Sequence, residues 1–164
     1  MRLASILYTR HAAQARHLGF IDYHTGLGPY GYGEPIADHL VSEPGHRRLK
    51  DWVGDEVTSI DDGSSSSAPL TGINSVAIKQ AAPHASHTIV TLEYGTRPVP
   101  EVLGALRADC WLHNHGTLDS DQGRAIKAEV RRCFYGDDDT WKQKVWDRGH
   151  DTQRRMLRGL AAMP

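Results

Sequence analysis

The stretch Ile21-Asp22-Tyr23-His24-Thr25-Gly26-Leu27-Gly28-Pro29-Tyr30-Gly31-Tyr32-Gly33-Glu34 constrains the fold more than any other part of the chain. Phe20 to His24 reads as a short strand that ends on a histidine. Glycines at 26, 28, 31 and 33 then follow too closely for regular structure to continue. Strand alternation sets Asp22 and His24 on one face and Ile21 and Tyr23 on the other. A histidine at the C-terminal end of a strand stands where α/β folds gather ligands and catalytic groups. From position alone, His24 is open as a metal ligand or as a structural histidine bonded to loop backbone.

A second strand end has the same character. His87 to Glu93 is apolar and rich in β-branched residues, which predicts a central strand of a sheet. It ends on Glu93, with Gly95 close behind. Burying a carboxylate costs several kcal/mol or more unless it is paired or used. Two readings stay open for Glu93: a partly desolvated general base, or a partner in a salt bridge to Arg97 or another arginine.

The remaining pattern supplies layers around these strands. A helix is predicted over 2–17, with Leu3, Ile6 and Leu7 on one side and Gly19 after it. A short helix over 46–57 carries Leu49 and Trp52. The segment from Asp61 to Pro69, with four serines in a row, reads as a flexible surface loop. Ile73 to Gln80 alternates as a strand with Val76 and Ile78 facing in. Three helices follow. The first, over 99–113, has Val99, Leu103, Leu106 and Cys110 at helical spacing. The second, over 121–134, has Ser120 as N-cap, and the third starts at a Thr140/Gln143 capping box and runs to about residue 161. The order α-β-α-β-β-α-α-α predicts an α/β layer fold in a single domain over 1–164.

Composition narrows the function classes. A net charge of -1 gives no field toward nucleic acid or membrane, so neither partner is expected. The basic residues near the C-terminus interleave with acids and read as a solvated helix face. Cys110 and Cys133 read as small buried side chains in a reducing compartment. With no run of about 18 apolar residues and no signal-peptide pattern, the expected location is the cytoplasm.

Other motifs carry less. The loop Gly26-Leu27-Gly28-Pro29-Tyr30-Gly31-Tyr32-Gly33 lacks the Lys-Ser/Thr of a phosphate loop, and Pro29 breaks a dinucleotide pattern. Gly26, Tyr30 and Tyr32 could line a substrate cleft, or the tyrosines could pack across the loop. His113-Asn114-His115 sits at a helix end without the strand pattern of a nuclease hairpin. His84 and His87 have ligand-like spacing but fall in a loop before a strand. No His-x-x-Glu occurs in the chain.

Asp22-Tyr23-His24-Thr25-Gly26-Leu27-Gly28-Pro29-Tyr30-Gly31 and Thr91-Leu92-Glu93-Tyr94-Gly95-Thr96 resemble the two C-terminal motifs of the DUF2817 proteins. Val102 to Ala108, Trp111 to His113, Phe134-Tyr135 and Trp141-Lys142 add to the resemblance, which spans nearly the whole chain. It places the chain with the zinc carboxypeptidase-like (M14-like) metallopeptidases and the acyl-amino-acid hydrolases related to them. It implies a three-layer α/β/α sandwich around a mixed sheet. It also implies His24 as a zinc ligand and Glu93 as the general base that takes a proton from the attacking water and passes it to the leaving group. The zinc would lower the pKa of water and polarise the scissile carbonyl. The substrate would be a small peptide or an N-acyl amino acid.

The same comparison carries a departure. The family's His-x-x-Glu ligands and its substrate-binding arginine and asparagine lie in an N-terminal half that this chain does not show. A catalytic zinc takes three protein ligands, so the expectation is an incomplete site. The chain would then self-associate or need a partner carrying the missing half. The alternative is a non-catalytic remnant or binding module from a truncated or split gene.

Overall fold

The computed structural model describes Arg10 and residues 12–164. The helix expected over 2–17 therefore lies largely outside the described residues. Nine elements follow in the described chain: β1 (His17–Tyr30), β2 (Gly33–Ala37), α1 (Pro44–Val53), β3 (Thr58–Ser59), α2 (Asn74–Ala81), β4 (Ser86–Gly95), α3 (Val99–His115), α4 (Asp121–Phe134) and α5 (Asp139–Ala161). The strands form one sheet in the order β1-β4-β2-β3. β2 and β3 are parallel, with Ile36 beside Thr58 and Ala37 beside Ser59. Backbone bonds from Ser86 to Arg16 and from Gly31 to Gly95 make β1 parallel to β4. Those from Asp38 to Ile89 and from Gly95 to Tyr32 make β2 antiparallel to β4. The sheet is therefore mixed, as expected, and β4 is an interior strand.

The described chain divides into two compact units. One comprises the described part of residues 1–22 together with 34–92 and 150–164. The other comprises 23–33 and 93–149. The first is built on Leu49, Val53, Val57, Ala37, Val90 and Met156, with Ile21 and Trp52 packed against them. Full burial of an aliphatic side chain such as Leu49 contributes about 1.5–3 kcal/mol. The second has a smaller apolar cluster of Val102, Ala105 and Cys133, joined by Val130 and Phe134, where α3 meets α4.

Several local expectations change. Ile73 to Gln80 is not a strand; Asn74–Ala81 is helical, with Ile78 buried and Val76 exposed. In the helix Ser75 and Ile78, three apart, share the buried face and Val76 lies on the other side; eight residues are too few for alternation to exclude that period. β1 does not stop at His24 but continues to Tyr30, because Gly26 and Gly28 adopt positive φ and absorb the irregularity inside the strand. On α3 the buried residues are Val102, Ala105 and Leu112, while Val99, Leu103, Leu106 and Cys110 are exposed. α3 carries two apolar stripes, and the one with the smaller side chains allows close approach to α4. The start of α5 is capped by Asp138, which accepts from the Trp141 amide at 2.9 Å, rather than by a Thr140/Gln143 box. Ser120 does cap α4, accepting from Gly123 at 3.0 Å.

The serine-rich loop is pinned. Buried Glu34 accepts from Thr58 Oγ1 at 2.6 Å and from the Ser66 amide at 3.1 Å, and it also takes the Ser66 hydroxyl. Burial pushes its pKa up, but the bonds from Ser66 and Thr58 outweigh that and hold it below the usual value.

His39 is a second buried polar anchor. Its Nε2 accepts from the Ile89 amide at 2.9 Å, which fixes the proton on Nδ1, and Nδ1 faces Glu43 Oε2 at 2.8 Å. Burial lowers its pKa, against the opposing pull of Glu43. Protonating Nε2 would set two N–H groups against each other. The unfolded chain takes up this proton near pH 6.5, the folded protein only at lower pH. Between the two the unfolded state binds more protons, so stability falls as pH drops through about 6.5. Urea midpoints are expected to fall between about pH 7.5 and 5.5, with a shallower fall in His39→Gln. Equal slopes in both proteins would rule out this role.

Candidate functional site

In the second unit, His24 in the middle of β1 stands beside Glu93 near the end of the adjacent strand β4. His24 Nδ1 lies 3.8 Å from Glu93 Oε2; the imidazole is 49 % exposed and the carboxylate 6 %. The other oxygen, Oε1, accepts from the Leu27 amide at 3.0 Å. That bond depends on the glycines. Gly26 at φ 141° and Gly28 at φ 96° flank Leu27 and turn its N–H toward Glu93. A side chain at Gly26 would also press on the Phe134 ring, with a Cβ 3.0 Å away. The glycine-rich run is therefore a holder for one carboxylate oxygen, not a phosphate cradle.

Two threonines fix the end of α4 beside this pair. The last carbonyls of a helix lack partners within it. Thr25 Oγ1 donates to the Phe134 carbonyl at 2.7 Å, and Thr96 Oγ1 to the Cys133 carbonyl at 2.5 Å. Gly95 is held just as firmly. Its carbonyl accepts from the Gly31 amide and from the Trp141 indole, both at 2.9 Å, and its amide donates to Tyr32 at 3.1 Å. Tyr30 donates its hydroxyl to Asp138, the residue that caps α5, and both Tyr30 and Tyr32 are partly exposed. That bond raises the Tyr30 pKa and lowers that of Asp138. Tyr94, buried beneath, is pushed up to about 12 by burial and donates to the Val145 carbonyl.

A buried carboxylate oriented by a backbone amide, facing a half-exposed imidazole, can accept and return a proton. It can also contribute to a metal site. A catalytic zinc takes three protein ligands, and among the described residues no three His, Cys, Asp or Glu side chains converge. By themselves the described donors do not complete a zinc site. His113 and His115 lie within α3, His113 beside Lys127 and Asp109.

The sequence pointed to His24, Glu93 and Gly26, and the structure brings all three together. It missed Leu27, whose contribution is a backbone amide, and Thr25 and Thr96, whose hydroxyls serve a helix distant in sequence. A threonine one residue after His24 and another three residues after Glu93 were the available signal.

These features define an α/β protein on a mixed four-stranded sheet, with a histidine–glutamate pair on adjacent strands framed by the glycines that follow each residue. The chain belongs to DUF2817, a family described as proteins of unknown function, whose pattern covers residues 2–148. No curated protein and no solved structure matches it. Among the described residues no helix is long and apolar enough to cross a membrane.

Proposed function

We propose that this chain carries the base-bearing part of a zinc-dependent amide hydrolase of the carboxypeptidase-like class. His24 would be one metal ligand and Glu93 the general base. The observation that supports this is the pair itself: a buried glutamate with one oxygen tied to the Leu27 amide and the other turned to His24. Oε2, the oxygen turned to His24, would take a proton from the attacking water and return it to the departing amide nitrogen. Zinc, when bound, would polarise the carbonyl and acidify the water. The substrate is a small peptide cut at its C-terminal bond or an N-acyl amino acid, entering past Gly26, Tyr30 and Tyr32.

The remaining ligands would come from outside the described residues, from a second copy or from a partner. β1 is an outer strand of the described sheet, where a further strand can add. Zinc content and mass should be read together across a size-exclusion profile. Zinc is expected at about one per chain in the assembled species, and His24→Ala should remove it. Zinc retained by His24→Ala, or an assembly without zinc, rejects the reading. The absence of a three-ligand cluster among the described residues favours a second reading, a non-catalytic binding module. Under it no species turns over an amide.

A further inference from the structure

A cavity of about 380 Å³ opens in the first unit, between the start of α1, the end of α2 and the start of β4. It shares no residue with the His24–Glu93 pair. Its polar lining is Glu43 and Arg48 from α1 and its cap, Lys79 from α2, Ser86 and His87 from β4, and His39. We propose that it binds a small molecule bearing an oxyanion, a carboxylate or a phosphate.

Charge comes first. Arg48 and Lys79 oppose one carboxylate, Glu43, so the formal balance of the lining is positive by one. Glu43 is already committed: its Oε2 takes Lys79 Nζ at 3.0 Å and His39 Nδ1 at 2.8 Å. Burial pushes the Glu43 pKa up, but these two bonds outweigh it and hold it below the ordinary range, so the carboxylate stays ionised. Lys79 has three N–H donors and Glu43 occupies one.

Arg48 is aimed rather than loose. Its Nε donates to Thr88 Oγ1 at 3.0 Å and its Nη2 to the His87 carbonyl at 2.6 Å. A guanidinium carries five N–H groups in a rigid fork. Two bonds fix its plane, and the remaining donors suit the paired oxygens of a carboxylate or phosphate.

His87 supplies the sharpest sign. Among the described residues its Nε2 is buried without a hydrogen-bond partner. A buried polar atom left unmade costs about 1–3 kcal/mol, and a turn of the lining His87 ring that set an Nε2–H on a ligand oxygen would remove that cost. Burial, together with Lys79, His84 and Arg48, lowers the His87 pKa, so the ring is neutral near pH 7. The N-terminal turn of α1, Pro44 and Gly45, forms another wall and adds the positive end of a helix.

A metal cation fits poorly. Both His39 nitrogens are taken, by Ile89 and Glu43, and two cationic side chains face the space. The volume lies at the small end of ligand pockets, which limits the molecule to a few carbons beyond its oxyanion.

Calorimetric titration of the full chain with inorganic phosphate, and separately with succinate, tests this. One site per chain is expected, and the arm that binds more tightly identifies the oxyanion. Lys79→Gln and Arg48→Gln should each weaken it about tenfold, the ~1.4 kcal/mol of one charge-assisted bond, while Lys127→Gln in the other unit should not. The imidazole signals of His87 should move on titration in the wild-type protein, a readout that stands even if Arg48→Gln fails to fold. Binding of neither anion, binding indifferent to Lys79→Gln, or His87 signals that stay still would overturn the proposal.

Discussion

Glu93→Gln is expected to lower kcat/KM for amide hydrolysis by about 10²–10⁴-fold in the assembled, zinc-loaded protein. Glutamine keeps the shape of the side chain, and its carbonyl can still accept the Leu27 amide that now bonds Oε1. The substitution therefore removes proton acceptance and the charge facing His24 while keeping the Leu27 bond. The loss should fall on kcat, with KM nearly unchanged, because no ground-state contact is removed. Thermal unfolding of the variant should stay within a few degrees of wild type, since a neutral side chain at this buried position avoids the cost of burying a charge. A variant that hydrolyses amides at the wild-type rate would sink the general-base role. A variant that loses activity only because it no longer folds would show up in the melt. Glu93→Asp then separates the two, since a carboxylate one carbon shorter keeps the base but withdraws it from His24 and Leu27.

How much of this was legible in the chain depended on the range of each signal. β4 was readable because an interior strand of a mixed sheet is apolar on both faces, and Thr88 to Leu92 is apolar or β-branched throughout. The three C-terminal helices were readable because their length leaves no other period to fit. β2 was missed although Gly33–Ala37 is wholly buried: a five-residue strand containing Pro35 carries no alternation, and its partner β3 is two residues long. The inward face of α3 was misread for a different reason. Val99, Leu103, Leu106 and Val102, Ala105, Leu112 are both helical stripes, and only the partner helix decides between them.

The site divides in the same way. His24 and Glu93 could be picked out because each closes a strand-like run two residues before a glycine and neither has a packing reason to be there. That they meet is a long-range fact, set by β1 lying parallel to β4. The anchoring bonds could not be read, because Leu27 acts through its amide and Thr25 and Thr96 act on carbonyls of α4. The oxyanion cavity was invisible for the same reason. His39, Arg48, Lys79 and His87 come from four separate stretches, and His84 with His87 looked like a ligand pair only because of spacing.

Gly95→Ala should do more damage than any other single methyl group in this unit. Gly95 does not need a positive φ; its constraint is closeness. A Cβ there would sit 2.1 Å from the Pro29 carbonyl oxygen and 2.3 Å from that of Gly28. Both are backbone atoms, so no rotamer change relieves the clash, and the 28–32 segment must move away from the end of β4. That motion strains three bonds at once, those joining Gly95 to Gly31, to Tyr32 and to the Trp141 indole. It also draws the Leu27 amide away from Glu93, because Leu27 precedes the displaced segment directly. Overpacking of this kind costs about 1–3 kcal/mol, and rigid backbone neighbours place it at the upper end. Gly104→Ala is the matched control. It lies inside α3, and apart from its own helical turn nothing comes within 4 Å of the new methyl group, so it should stabilise by about 0.5–1 kcal/mol through helix propensity. Denaturant unfolding of the two variants should move in opposite directions, and the Leu27 amide and Trp141 indole signals should shift in Gly95→Ala alone. Wild-type stability with unmoved signals in Gly95→Ala would mean that the glycine turns do not hold the carboxylate.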